Sequence, residues 1–228
     1  MPEVKSGSKK DAKKQKLFIA AATVFSQKGY NNTSIKDITD EAGVSVGSFY
    51  SYFENKEDVV GELYDAMADT SREAASRVTK KTGSSVAQNF TRALTCALSV
   101  YTENKELSRI IILKCTGIND TLERKRWEIL DKTNKFMRGV LAHLKSKHLI
   151  AIDNVGVIAV TITQSISGVI AYWLDGKLKN DLPEIIYSLC VYHLRALRID
   201  FKDKEVKGCI NEMLSMSRDE FQIGMVKD

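Results

Sequence analysis

The chain has 228 residues, 43% hydrophobic and 28% charged, which suits one large or two smaller globular domains. Its two prolines, Pro2 and Pro183, are too few breakers for most strand-and-turn architectures and argue for a helical fold. The net charge of +5 favours an anionic partner without naming one.

The positive surplus is uneven. The first sixteen residues hold Lys5, Lys9, Lys10, Lys13, Lys14 and Lys16 against Glu3 and Asp11. Such a run reads as a solvated tail that can also touch a phosphate backbone. No apolar stretch follows these lysines, so no signal peptide is expected. A first helix emerges from the tail, with Phe18, Ala21, Ala22 and Phe25 at i, i+3, i+4, i+7 spacing, and Gly29 ends it. In "SIKDITDEAG", Ser34 and Asp37 have capping-box spacing, Ile35, Ile38 and Ala42 form the buried stripe, and Gly43 stops the second helix. Ser45 is placed to cap a third helix over 46–53. Asn55 is placed to cap a fourth reaching residue 80 or 81, with Glu57 and Asp58 in its first turn.

Gly83 and the serines after it mark a boundary. Ser85 and Gln88 predict a fifth helix ending near Glu103, and a short helix follows over 107–115. Asp120 and Glu123 open a long helix to about Lys147, with Trp127, Leu130, Asn134, Met137, Leu141 and Leu144 on one face. Asp153 opens, and Gly176 closes, the uncharged segment "VGVIAVTITQSISGVIAYWL". That segment has the length of a membrane span. Its threonines, serines and Gln164 fit better a helix buried by its own domain and by a partner chain, so no membrane is expected. Asp181 and Glu184, with Pro183 in the first turn, predict a helix to about Ile199, and a last amphipathic helix covers 204–216.

Chemistry-bearing clusters are few. Cys96, Cys115, Cys190 and Cys209 share no ligand spacing and read as small buried thiols. His143 and His148 diverge around a helix, His193 stands apart, and neither a glycine-rich phosphate loop nor a nucleophile elbow occurs. The reading is therefore not an enzyme, with no metal and no cofactor.

The stretch "GVSVGSFYSYFENKED" carries the functional signal. Two short helices joined by a tight turn at Gly43 and Val44 have the layout of a helix-turn-helix. Val46, Phe49 and Phe53 recur at helical spacing, and the phenylalanines are expected to face inward against Phe18, Phe25 and Ile38. The opposite face offers Gly47, Ser48, Tyr50, Ser51 and Tyr52, whose hydroxyls suit base edges and phosphates. A three-helix unit with a merely polar face is the alternative from pattern alone.

Residues 20–60, "AAATVFSQKGYNNTSIKDITDEAGVSVGSFYSYFENKEDVV", resemble the DNA-binding domain of the TetR family of bacterial transcriptional regulators. The family pattern is an alanine-rich helix ending in Phe-x-x-x-Gly-Tyr, then a Thr-Thr-like start, Ala-Gly-Val-Ser, Leu-Tyr-x-Tyr-Phe and a Lys-Glu pair. It is matched by Phe25 with Gly29 and Tyr30, Thr33 with Ser34, Ala42 to Ser45, Phe49 to Phe53, and Lys56 with Glu57. Phe49 replaces the usual leucine and Thr39 the usual alanine. Val46 stands after Ser45 where the family is often polar. The resemblance implies that Gly47, Ser48 and Tyr50 face the groove, flanked by Ser45, Val46 and Ser51. Tyr52, Lys56, Thr33 and Ser34 would hold phosphates, with Lys36 as a further backbone contact. A lysine opening a helix opposes the helix dipole, which fits Lys56 to a phosphate.

The resemblance also implies an all-α fold: a basic tail over 1–13, a helix-turn-helix domain over 14–60, and an effector-binding and dimerisation domain over 61–228. The expected protein is a cytoplasmic repressor. As a homodimer it binds a near-palindromic operator and is released by a small, mostly apolar or amphipathic effector. The alternative is a DNA-binding dimer without an effector, controlled by a protein partner. The uncharged helix and the one after it are expected to form the dimer interface. Asn134 and Gln164 either satisfy each other or the backbone, or orient a ligand among Phe90, Leu94, Trp127, Met137, Ile166 and Trp173.

Overall fold

The three-to-four-residue apolar spacing becomes helix throughout the computed structural model, which describes residues 9–78, 83–114 and 120–216. Among these residues the order is α1 (Lys9–Lys28), α2 (Ile35–Ala42), α3 (Val46–Tyr50), α4 (Lys56–Val78), α5 (Val86–Glu103), α6 (Lys105–Arg109), α7 (Asp120–Ser146), α8 (Val155–Leu174), α9 (Leu182–Ala196) and α10 (Asp203–Leu214). A π-turn, Ile110–Lys114, continues α6.

Several of the predicted caps form. Ser34 and Asp37 make a reciprocal capping box, and Gly43 ends α2 in the left-handed conformation with φ 64°. Ser45 Oγ accepts from the Ser48 amide at 3.2 Å, and Asn55 Oδ1 accepts from the Asp58 amide at 2.8 Å. Other boundaries move. Helix α1 already begins at Lys9, inside the segment expected as a tail. Helix α3 ends at Tyr50, because the Tyr52 amide tightens onto the Phe49 carbonyl at 2.9 Å. Asn154, not Asp153, caps α8, accepting from the Val157 amide at 3.0 Å.

Two apolar clusters build the core. The first joins Leu17, Phe25, Ile38, Phe49, Phe53, Val59 and Leu63, and continues down α4 through Met67 and Ala74 to Cys96 and Val100 of α5. The second gathers α5, α7, α8, α9 and α10 around Leu98, Leu141, Ile162, Ile186 and Leu194. Tyr101 and Ile112 pack against both. Helix α4 runs within the first cluster from the helix-turn-helix to α5 and also packs on α7, and the expected boundary at residue 60 falls inside this continuous helix. Cys96, Cys190 and Cys209 are buried thiols, none in a disulfide, and burial pushes Cys190 up to about 12. Cys115 lies outside the described residues.

Helix α8 is unevenly covered. Ala159, Ile162, Thr163, Ile170 and Leu174 are buried, whereas Val157, Val160, Thr161, Gln164, Ser167, Gly168 and Tyr172 line an exposed, uncharged stripe. Only 22% of this apolar stretch is buried within the subunit. Its length and composition would allow it to cross a membrane, as an unpartnered interface helix also can.

Candidate nucleic-acid interface

Helix α3 has five residues, too few to hold itself as an isolated helix. It is fixed from beneath. Phe49 is fully buried and Phe53 nearly so, with ring centroids 5.5 Å apart. That anchoring turns the other residues outward. Tyr50 is 57% exposed, with its ring edge-on to Phe49, and Val46 is 43% exposed. Gly47 and Ser51 are exposed, and Ser48 and Tyr52 are half-buried. A Cβ on Gly47 would meet only Ser45 Oγ, at 3.9 Å, so packing does not require a glycine there. Ser45 and Ser48 hydroxyls lie 3.0 Å apart, and Ser51 Oγ donates to the Gly47 carbonyl at 3.1 Å. The rim is thus one contiguous surface of hydroxyls, a methyl-bearing valine and bare backbone, chemically suited to base edges and phosphates.

Two expected phosphate ligands lie elsewhere. Thr33 is buried, and its hydroxyl donates to the Gly29 carbonyl at 2.7 Å. Lys56 turns back into the domain, where Nζ donates to the Tyr30 and Thr33 carbonyls, both at 2.8 Å, and sits 4.1 Å from the Tyr30 ring centroid. The adverse dipole at the start of α4 is offset by two carbonyls and a ring face, not by a phosphate. Tyr30 Oη donates to Glu57 Oε1, which completes a brace between the α1–α2 turn and the start of α4. Ser34 is exposed but committed to its capping box. Lys36 is exposed and paired with Asp40 at 2.7 Å. Lys28, with Ser34, holds the Asp37 carboxyl well below the usual carboxylate range.

The residues expected around an effector do not all face inward. Trp127 is 62% exposed, because α7 turns Leu122 and Ile129 inward, so the heptad face read from Trp127 is wrong for its first half. Gln164 is on the exposed stripe of α8. Leu94 is buried, and Phe90, Met137, Ile166 and Trp173 pack against the second cluster. Asn134 Oδ1 accepts from Thr163 Oγ1 at 2.5 Å, so α7 and α8 are stapled together. A surface groove of about 470 Å³ between the same helices is lined by Lys135, Arg138, Gly139, Ala142, Val155 and Gly156, none of them expected.

The sequence reading missed how α4 is tied to α7. Asp65 accepts from Lys125 at 2.5 Å and Lys132 at 2.8 Å, and Arg72 donates to Thr133 Oγ1 at 3.2 Å. Burial works against ionised Asp65, but the two lysines hold its carboxyl below the ordinary range. The seven-residue interval between Lys125 and Lys132 puts them on one face of α7 and could have suggested a shared anionic partner. Likewise His193 is buried against Ser165 Oγ at 3.2 Å, and desolvation lowers its pKa.

The chain is similar to known proteins. Residues 17–63 match the model of bacterial regulatory proteins of the tetR family. The HTH-type transcriptional repressor KstR2 of Rhodococcus jostii (strain RHA1) is 35% identical over 68 residues, which is 30% of this chain and 33% of that repressor's own length. A protein assigned to the TetR-family transcriptional regulators of Syntrophomonas wolfei has the same fold, with TM-score 0.73 at 23% identity over 82% of this chain and 96% of that one. The transcriptional regulator FadR of Bacillus subtilis, solved in complex with stearoyl-CoA, gives TM-score 0.67 at 22% identity over 78% of this chain and 96% of that one.

Proposed function

We propose that the chain, whose residues 17–63 match bacterial regulatory proteins of the tetR family, is a repressor of that family that grips a near-palindromic operator as a homodimer and lets go when a small effector binds. The observation that carries this reading is the rim of α3. The fold buries Phe49 and Phe53 and leaves Val46, Gly47 and Tyr50 exposed with no packing role for the glycine. The exposed stripe of α8 supports pairing with a second copy, together with α9, on which Tyr192 is 58% exposed. Two copies would set their α3 helices about 34–36 Å apart, one turn of duplex. The cytoplasm, with the chromosome, is its expected place.

The route from effector to DNA runs along α4. An apolar or amphipathic molecule that parts α7 from α8 must open the Asn134–Thr163 staple and move α7. Asp65 carries that movement to α4, whose first residue, Lys56, grips the turn before α2. A coupling of about 1–3 kcal/mol would weaken DNA binding roughly 5–150-fold. The FadR of Bacillus subtilis, with its stearoyl-CoA, suggests a long acyl chain as the first effector class to try. A closed staple, with Trp127 and Gln164 turned outward, favours the second reading, a dimer controlled by a protein partner.

Footprinting of the DNA upstream of its own gene by the full-length chain tests the proposal. A symmetric protected site, abolished in Tyr50→Ala with the dimer intact, is expected. Equal protection by both proteins overturns the assignment of the rim. Release by acyl thioesters separates the two modes of control.

A further inference from the structure

Binding a duplex requires cations, and the helix-turn-helix of this chain supplies almost none. From Asn31 to Asn55 a single lysine, Lys36, stands against Asp37, Asp40, Glu41 and Glu54, a net charge of −3. The exposed face of α3 carries no charge of either sign. The nearby lysines already have partners: Lys14 pairs with Glu62, Lys28 with Asp37 and Lys36 with Asp40, while Lys56 is bound to two carbonyls. Such a surface offers phosphates hydrogen bonds but no net electrostatic attraction, although phosphate neutralisation supplies essentially all non-specific affinity for DNA.

The missing charge lies at the start of α1. Lys14 Nζ reaches Glu62 Oε1 at 2.8 Å and lies 5.4 Å from the Phe53 ring centroid. It thereby fastens the first turns of α1 beside the carboxyl end of the α3 segment. Its neighbours Lys13 and Lys16 are exposed and form no ion pair among the described residues. Lys13 and Lys16 lie one helical turn apart on one side of α1, and the sequence places Lys9 and Lys10 just ahead of them. Cations at the amino end of a helix oppose its dipole, so local stability gives no reason for them.

We infer that the lysines opening α1 (Lys9, Lys10, Lys13 and Lys16) form a basic arm outside the helix-turn-helix that supplies most of the phosphate-backbone affinity of each subunit. The inference rests on the DNA-binding reading above and adds a division of labour. The rim of α3 reads sequence and contributes little charge, while the arm grips any duplex.

The test uses the full chain and two probes, a mixed-sequence duplex and the duplex upstream of its own gene. Binding is followed by fluorescence anisotropy between about 50 and 200 mM salt. The variant K9Q/K10Q/K13Q/K16Q is compared with K147Q/K179Q/K202Q/K204Q, which removes the same charge from exposed sites outside α1 to α4. Glutamine keeps helix propensity close to that of lysine. The arm variant is expected to lose affinity for both duplexes alike, and its plot of log K against log salt to become shallower by about 0.9 for each phosphate no longer neutralised. The preference for the operator over mixed sequence should persist, and the distal variant should keep the original slope. A slope within about one unit of the unaltered chain's overturns the inference, as does an equal flattening by the distal variant. In both cases operator preference still stands, so the DNA-binding reading survives. If the unaltered chain binds neither duplex, that reading fails first, before any variant is made.

Discussion

Lys56 separates two accounts of the same residue. Held by the Tyr30 and Thr33 carbonyls at 2.8 Å and lying 4.1 Å from the Tyr30 ring centroid, it is an internal brace. Lys56→Met keeps the aliphatic stem and removes the ammonium. Hydrogen bonds to a charged group contribute about 1.5–3 kcal/mol each when fully buried, and a cation–π interaction about 0.5–1 kcal/mol at an exposed site. Lys56 is only half-buried, and water can reach the freed carbonyls, so the sum falls to about 2 kcal/mol. For a chain of this length that lowers the melting temperature by about 4–8 °C. Differential scanning calorimetry measures it. The salt dependence of DNA binding should stay unchanged, because the ammonium neutralises no phosphate. Full thermal stability combined with a salt slope reduced by about one would refute the brace and restore a phosphate role.

Three further outcomes follow from the geometry. Gly47→Ala meets nothing nearer than 3.9 Å and should stabilise the domain by up to about 1 kcal/mol, yet weaken operator binding about tenfold, the size of one good groove interaction; urea unfolding and anisotropy on the same variant measure both. Val160→Glu puts a charge on a residue 45% exposed in the subunit, so the monomer should keep its helical circular dichroism while sedimentation shows loss of the dimer. The folded-state pKa of Asp37 is depressed, so its capping contribution is present above its unfolded value near 3.9 and disappears as pH falls below about 4; Asp37→Asn should flatten that part of the acid-unfolding curve, and an unchanged curve would contradict the assignment.

The helix-turn-helix was legible because its signals are local. Capping pairs such as Ser34 with Asp37, a left-handed glycine at Gly43 and the buried phenylalanines of α3 all act within a few residues of one another. What failed was long-range. Lys56 looked free because its partners, the carbonyls of Tyr30 and Thr33, lie 26 and 23 residues away and backbone carbonyls leave no trace in composition. Trp127 looked buried because a seven-residue period fits two neighbouring stripes of α7, and only packing against α4 selects the one through Leu122 and Ile129. Asn134 and Gln164 looked equivalent as amides in apolar helices. Asn134 meets Thr163 across the helix pair, whereas Gln164 lies on the outward stripe of α8.

These two kinds of information meet at α3. Five residues with a glycine among them cannot choose their own orientation; it is imposed by Phe49 and Phe53 from below and by the Lys56–Tyr30–Glu57 brace at one end. The same weakness makes the helix responsive. Under the proposed effector control, a displacement of α4 at its junction with α7, where Asp65 meets two lysines, would be carried along the 23-residue helix to the residue that braces the turn before α2. A longer, self-sufficient helix would resist that displacement, so the proposed effector control draws on the shortness of α3.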